Sequence, residues 1–212
     1  NLVGNARWGG VSLRRLLERA GVQPGATQIV GRAVDGFTVG FPTAWGLGAA
    51  RESLVAVTMN GERLPPDHGF PARLIVPGLY GYVSATKWLT EIEMTTLEGF
   101  DAYWVPLGWA KQAPILTQSR IDTPRAGASL SAGTIPIAGV AWAPDRGIDA
   151  VEVQVDDGPW QAAETTTPIS DATWVQFVLR WEALPGPHTL RVRATDGDGE
   201  VQTSDRTRPA PD

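Results

Sequence analysis

The chain of 212 residues contains no cysteine. That excludes a disulfide framework, a zinc–thiolate site, an iron–sulfur cluster and a cysteine nucleophile within these residues, and it leaves the redox compartment unread. Lysine is nearly as scarce: Lys87 and Lys111 stand against sixteen arginines, and His68 and His188 are the two histidines. Long apolar runs are missing too. The longest uncharged stretch, Ala126–Pro144, carries Ser129, Ser131, Thr134, Pro136 and three glycines, whereas a membrane span needs roughly 20 mainly apolar residues. No Gly-x-Gly-x-x-Gly or Walker loop occurs, so nucleotide binding has no support, and there is no heptad, internal repeat or low-complexity tract. No signal peptide is visible, and a chain that opens at Asn1 and runs almost at once into a helix-starting pattern reads as a processed or excised piece.

What is present is ordinary for a globular protein of one large or two modest domains: 42% apolar residues and 19% charged. The 24 glycines and 17 prolines make the chain turn often and keep long helices from dominating. The net charge of −5 is uneven, with ten basic and nine acidic residues up to position 118 but eight and fourteen beyond it. A broad basic face for nucleic acid is therefore not expected, least of all in the second half.

The first half mixes signals. Ser12 is an N-cap before Leu13, Leu16, Leu17 and Ala20 at helical spacing, and Gly21 is placed to end the helix. Strand-like runs follow at Thr27–Val30, Phe37–Phe41, Leu54–Met59, Arg73–Val76 and Leu89–Met94, separated by turns such as Asn60-Gly61 and Pro77-Gly78. This predicts an α+β class. In the second half, Ile135–Trp142, Val151–Val155, Trp174–Trp181 and Leu190–Ala194 alternate between turns at Asp157-Gly158 and Asp196–Gly199, which predicts a β-sandwich. The boundary is expected near Ser119, giving domains 1–118 and 119–212.

One polar constellation stands out. Asp67-His68-Gly69-Phe70-Pro71 leads to Arg73 at the head of an apolar strand, and the glycine-bearing stretch Tyr80–Ser84 leads to Lys87. A guanidinium fork, an ammonium and a histidine joined by glycine-rich loops suit an anionic, phosphate-bearing ligand. The competing structural reading has Arg73 capping a loop, Lys87 on the surface and His68 satisfied in place. Ser84-Ala85-Thr86-Lys87 also matches Ser-x-x-Lys, but it lacks a helical context and the companion Ser-Asp-Asn and Lys-Thr-Gly motifs. No Gly-x-Ser-x-Gly elbow supports a Ser-His-Asp hydrolase, and Asp196–Glu200 lacks the later glutamate of a calcium loop. The nine tryptophans read as core.

The stretch Met59-Asn60-Gly61, Leu64-Pro65, Asp67-His68-Gly69-Phe70-Pro71, Arg73, Val76-Pro77-Gly78, Gly81 and Lys87-Trp88-Leu89 resembles the sulfite oxidase family of molybdenum-cofactor enzymes. Asn5-Ala6-Arg7-Trp8-Gly9-Gly10 resembles the segment that this family places before its first amphipathic helix, and the second half resembles its immunoglobulin-like dimerisation domain. The form is most similar to bacterial members with a membrane anchor upstream. The resemblance implies that residues 1–118 are part of a molybdopterin-binding domain in which His68, Arg73, Ser84, Thr86, Lys87 and Asp35 contact the cofactor, with one extra residue before Lys87 and a different loop length at Asp35. It assigns no catalytic residue and no metal ligand to this chain. The family's molybdenum-ligating cysteine lies upstream of the Asn-Ala-Arg-Trp segment, so the resemblance implies a piece of an enzyme, inactive alone.

For the intact enzyme the resemblance implies two-electron oxygen-atom transfer on a small oxyanion or sulfoxide-like substrate, using molybdenum-molybdopterin. Its electron-transfer partner would be a cytochrome or membrane carrier, it would form a homodimer through the second domain, and it would sit outside the cytoplasm at the membrane. The alternative is a non-enzymatic binding or assembly module with a degenerate cradle. Retention of His68, Arg73 and Lys87 together favours the enzyme, since a decayed site would be expected to lose a buried charge.

Overall fold

The computed structural model describes residues 3–48 and 52–205. The chain divides into two compact units between Pro114 and Ile115, upstream of the expected boundary at Ser119.

The first unit opens with β1 (Trp8–Ser12), followed by α1 (Leu13–Ala20), β2 (Gln28–Ala33), β3 (Thr38–Pro42), α2 (Thr43–Leu47), β4 (Leu54–Met59) and β5 (Glu62–Arg63). Then come β6 (Arg73–Ile75), α3 (Gly81–Ser84) and β7 (Leu89–Thr95). Helix α1 forms as its sequence predicts. The Ser12 hydroxyl accepts from Arg15 N–H at 3.5 Å, Gly21 closes the helix at φ 82°, and Leu13 and Leu17, one turn apart, are buried. Strand β4 is the centre of one antiparallel sheet, paired with β1 and with both β5 and β6. A second antiparallel sheet runs β3-β2-β7. Leu13, Leu17, Ile29, Val39, Phe41, Leu74 and Val83 meet in one core.

The expected α+β class is corrected by these elements. The chain is mostly β-sheet: among the described residues α1 has 8 residues, while α2 and α3 have 5 and 4. The physical reason lies in the punctuation. Gly and Pro interrupt the first unit before a 3.6-residue period can repeat beyond α1, and the short segments between them pair as strands. Several strands also extend past the expected limits: β2 continues to Ala33, and β1 forms where only a lead into the helix was expected.

The second unit contains β8 (Gln118–Thr123), β9 (Gly133–Trp142), β10 (Ile148–Val155), β11 (Gln161–Ala162), β12 (Glu164–Thr165), β13 (Val175–Ala183) and β14 (Leu190–Asp196). They form two antiparallel sheets, β11-β10-β14 and β12-β13-β9-β8. Ile137, Ala141, Val175 and Phe177 of one sheet pack with Val151, Val153 and Ala194 of the other, which is the sandwich the alternation predicted. Asp196, 1% exposed, ties the start of this unit to its end. Its carboxylate accepts from Thr117 Oγ1 at 2.5 Å, from Arg146 Nε at 2.8 Å, and from the N–H groups of Asp198 and Glu200. That network places Thr117 in the sandwich and explains why the unit begins before Ser119. The loop after Asp196 is therefore a carboxylate-capped turn. No helix among the described residues is long and apolar enough to cross a membrane.

Candidate functional site

The polar constellation folds into one place because Pro65-Pro66 opens a 3₁₀ turn at Pro66–His68, which Gly69 ends at φ 107°. Prolines pre-set such a turn, and the left-handed exit favours glycine. Arg73 then starts β6, opposite Ala56 of β4. The chain returns through α3, and Leu74 N–H to Thr86 O (2.9 Å) and Leu89 N–H to Ala72 O (2.9 Å) lay residues 86–89 alongside 72–74. Lys87 is thereby pressed against Gly69: a Cβ at position 69 would stand 2.9 Å from Lys87 Cα and Cβ and 3.2 Å from Arg73 Cβ.

The three carbonyls of the turn each accept from a different side chain. Trp88 Nε1 donates to Pro66 O at 2.8 Å, Lys87 Nζ to Asp67 O at 3.1 Å and Arg73 Nη1 to His68 O at 3.1 Å. Tryptophan faces lie against both cations, Trp88 at 4.3 Å from Lys87 Nζ and Trp8 at 4.7 Å from the Arg73 guanidinium carbon. Among the described residues neither Arg73 nor Lys87 forms an ion pair, and the His68 ring makes no hydrogen bond. Arg73 Nε is buried without a partner, and burial pulls its guanidinium below the ordinary arginine value. Two adjacent positive charges, held by neutral carbonyls and in no ion pair among the described residues, are an arrangement chemically suited to an anion.

The other expected residues are placed differently. Asp35 lies in the exposed turn between β2 and β3, where its Oδ1 accepts from Phe37 N–H at 3.0 Å, and Val34 N–H bonds Trp88 O at 3.0 Å, so the turn is tied to the Lys87-Trp88 segment. Thr86 is fully buried behind the cradle. Its hydroxyl also lacks a partner and lies so close to Gly31 that a Cβ there would be 2.4 Å away. Ser84 is buried at the end of α3, and its hydroxyl donates to the carbonyls of Tyr80 (3.0 Å) and Leu79 (3.4 Å). Lys87 lies beyond that helix, so a Ser-x-x-Lys nucleophile does not form. Trp8 and Trp88 are the residues that sequence reasoning missed. Both stood in quoted motifs, but Trp8 and Arg73 are too far apart in the chain for a pairing to be read from spacing.

The family model for the oxidoreductase molybdopterin binding domain matches residues 1–104. Human (Homo sapiens) mitochondrial sulfite oxidase is 29% identical over 233 residues, a match covering 94% of this chain and 42% of that protein. Residues 1–104 match a molybdopterin-binding oxidoreductase domain, and the chain is similar to the sulfite oxidases. Nitrate reductase [NADH] 2 of Nicotiana tabacum is 39% identical over 108 residues, covering 46% of this chain and 12% of that protein. Among solved structures, the sulfane dehydrogenase SoxCD from Paracoccus pantotrophus superimposes with a TM-score of 0.76 at 25% identity, over 93% of this chain and 53% of that one. The chain spans about half the length of the sulfite oxidases it matches.

The family's intact enzymes carry molybdenum-molybdopterin, and the residues present fit an anionic part of that group. The fit rests on the unpartnered Arg73 Nε, on the uncompensated Lys87 beside it and on Gly69, whose missing side chain lets the turn close over both.

Proposed function

We propose that this chain forms part of the cofactor cradle of a molybdenum oxidoreductase that performs two-electron oxygen-atom transfer on a small oxyanion or sulfoxide-like substrate. The observation that carries the reading is the buried Arg73 N–H without an acceptor, set beside Lys87, with neither cation in an ion pair among the described residues. An unmet buried donor on a permanent cation is costly, and an anionic ligand removes that cost. Relatives named for sulfite, nitrate and sulfane chemistry support a small inorganic sulfur or nitrogen substrate.

When bound, the group supplies the two-electron redox chemistry. Arg73 and Lys87 would hold its phosphate, with the His68 ring at the same rim. Asp35, carried by the turn bonded to Trp88, would accept from N–H donors of the pterin. Ser84 and Thr86 act from behind, Ser84 by tying the end of α3 to the Leu79 and Tyr80 carbonyls and Thr86 by its carbonyl bond to Leu74 N–H. The sandwich is read as immunoglobulin-like, pairing two copies of the enzyme. The intact enzyme would sit outside the cytoplasm at the membrane, with a cytochrome or membrane carrier taking part in electron transfer, a reading that rests on the resemblance of the sequence motifs.

The test is molybdenum content and released-pterin fluorescence per polypeptide in the intact enzyme, with Arg73→Ala and Lys87→Ala. Each is expected to lower both at least fivefold while shifting the melting temperature by only a few degrees. Unchanged content in both variants would sink the cradle.

A further inference from the structure

We propose that Trp88 is a positioning residue, whose ring holds the Lys87 ammonium in the pose that receives the anion. This rests on the cradle reading above and adds to it a residue that touches no ligand. Three observations lead there.

First, Trp88 has φ 50°, in the left-handed region. A bulky side chain there is a genuine outlier, and such strain persists only where the surroundings over-determine it. They do so here: Trp88 N–H bonds Gly69 O at 3.3 Å, its carbonyl accepts from Val34 N–H, and its indole N–H bonds Pro66 O. Second, the ring is not core. Neighbouring Leu89 packs against the buried cluster of the first unit, whereas Trp88 is outside the residues that do so. An aromatic residue held in a strained backbone without core burial is serving some other contact. Third, that contact is Lys87, its chain neighbour, at 4.3 Å from the ring centroid.

The left-handed backbone makes the arrangement work. In a regular strand, adjacent side chains point to opposite faces. The turn at Trp88 breaks that alternation and brings the indole face and the ammonium together beside the Pro66–His68 turn. A lysine is otherwise a flexible point charge with a large rotamer entropy. Held between an indole face and the Asp67 carbonyl, it is pre-organised, and the ordering is complete before an anion arrives.

The experiment compares Trp88→Phe, Trp88→Asn, Lys87→Ala and the double variant Trp88→Asn/Lys87→Ala in the intact enzyme. It reads released pterin per polypeptide, the half-life of pterin retention after dilution, and melting temperature. Asn tolerates the left-handed backbone, so Trp88→Asn removes the ring without adding strain. Trp88→Phe keeps an aromatic face and loses the indole N–H with the five-membered part of the ring. Trp88→Phe is expected to stay within about twofold of the parent. Trp88→Asn and Lys87→Ala are each expected to fall at least fivefold in content and retention, with the double variant no lower than Lys87→Ala alone. Full retention in Trp88→Asn, a further fivefold fall on the Lys87→Ala background, or a Trp88→Phe value as low as that of Lys87→Ala would overturn the proposal. The last comparison still decides the matter if Trp88→Asn does not fold. A Lys87→Ala enzyme with full pterin would instead remove the cradle reading, and this proposal with it.

Discussion

The ion-paired arginines of the sandwich and the two cations of the candidate site are held in opposite ways. In the sandwich, Arg146 meets Asp196 at 2.8 Å, Arg193 meets Glu152 at 2.7 Å, Arg120 meets Asp122 at 2.7 Å and Arg191 meets Asp157 at 3.3 Å. In the first unit, Arg32 and Lys111 also have carboxylate partners, but Arg73 and Lys87 have only carbonyls and rings. A cation paired with a carboxylate is complete and has nothing left to offer a ligand. One held by neutral groups keeps its charge available. The site is thus marked by an imbalance of partners rather than by charge density, for the acidic residues are concentrated in the other half of the chain. The general lesson is that a structure breaks the rules of good polar pairing where it has a ligand to receive.

The largest expected effect tests the complete side of the contrast. Asp196→Ala leaves Arg146 without its carboxylate, and breaking such a buried pair should cost about 3 kcal/mol, measured by denaturant unfolding. A loss below about 1 kcal/mol would mean that the pair does not stabilise the sandwich. The same network sets an acid limit. Burial pushes the Asp196 carboxyl up, but hydrogen bonds from Thr117, Arg146, Glu200 and Asp198 outweigh it and bring it from 3.8 to about 2. A depressed carboxylate contributes stability that is present above pH 3.8 and is lost as pH falls through about 2. Acid unfolding of the parent should therefore be shifted in this window relative to Asp196→Ala.

Next in size is Arg73→Met, which tests the incomplete side. It removes a buried unmet N–H and keeps much of the side-chain bulk, so stability should rise by about 1 kcal/mol while pterin content falls at least fivefold. A variant losing both would show that Arg73 is structural. Thr86→Val is a smaller probe of the same idea. The partnerless hydroxyl becomes a methyl of similar shape, and stability should rise by less than about 1 kcal/mol. A drop in pterin content with stability unchanged would make the hydroxyl a ligand contact.

Much of this contrast was legible in the residues. The alternating runs of the second half pointed to the sandwich, the runs bounded by Gly and Pro turns to most strands of the first unit, and Ser12, the Leu13–Leu17 spacing and Gly21 to α1 with its caps. The mostly β character of the first unit was not, because its one strong helix signal stands beside strands whose extensions depend on pairing partners: β1 forms only because β4 lies beside it. At the site, His68, Arg73 and Lys87 could be grouped from sequence because the Gly and Pro turns between them are short. The inward hydroxyl of Ser84 and the ring over each cation could not. They depend on which way a side chain leaves the backbone, and for Trp88 on a left-handed φ that its sequence does not announce.

The smallest expected effect concerns a cation of the sandwich that exists only over part of the pH range. Both ring nitrogens of His188 face acceptors, Nδ1 at 2.9 Å from Asp156 Oδ2 and Nε2 at 2.9 Å from Leu184 O, with Trp181 edge-on at 4.8 Å. Only the imidazolium can donate to both. The bonds from Asp156 and then Leu184 accordingly raise His188 above its ordinary 6.5, while the same contact lowers Asp156. A raised histidine contributes stability that is fully present below pH 6.5 and is lost as pH rises through its folded value. Following the His188 ring protons by NMR should show titration above 6.5 in the parent and a return toward it in Asp156→Asn. Titration at or below 6.5 in the parent, indifferent to that substitution, would remove His188 from the paired cations of the sandwich. If the shift appears, the pairing habit of this unit extends to a group it must first protonate, whereas Arg73 and Lys87 form no ion pair among the described residues.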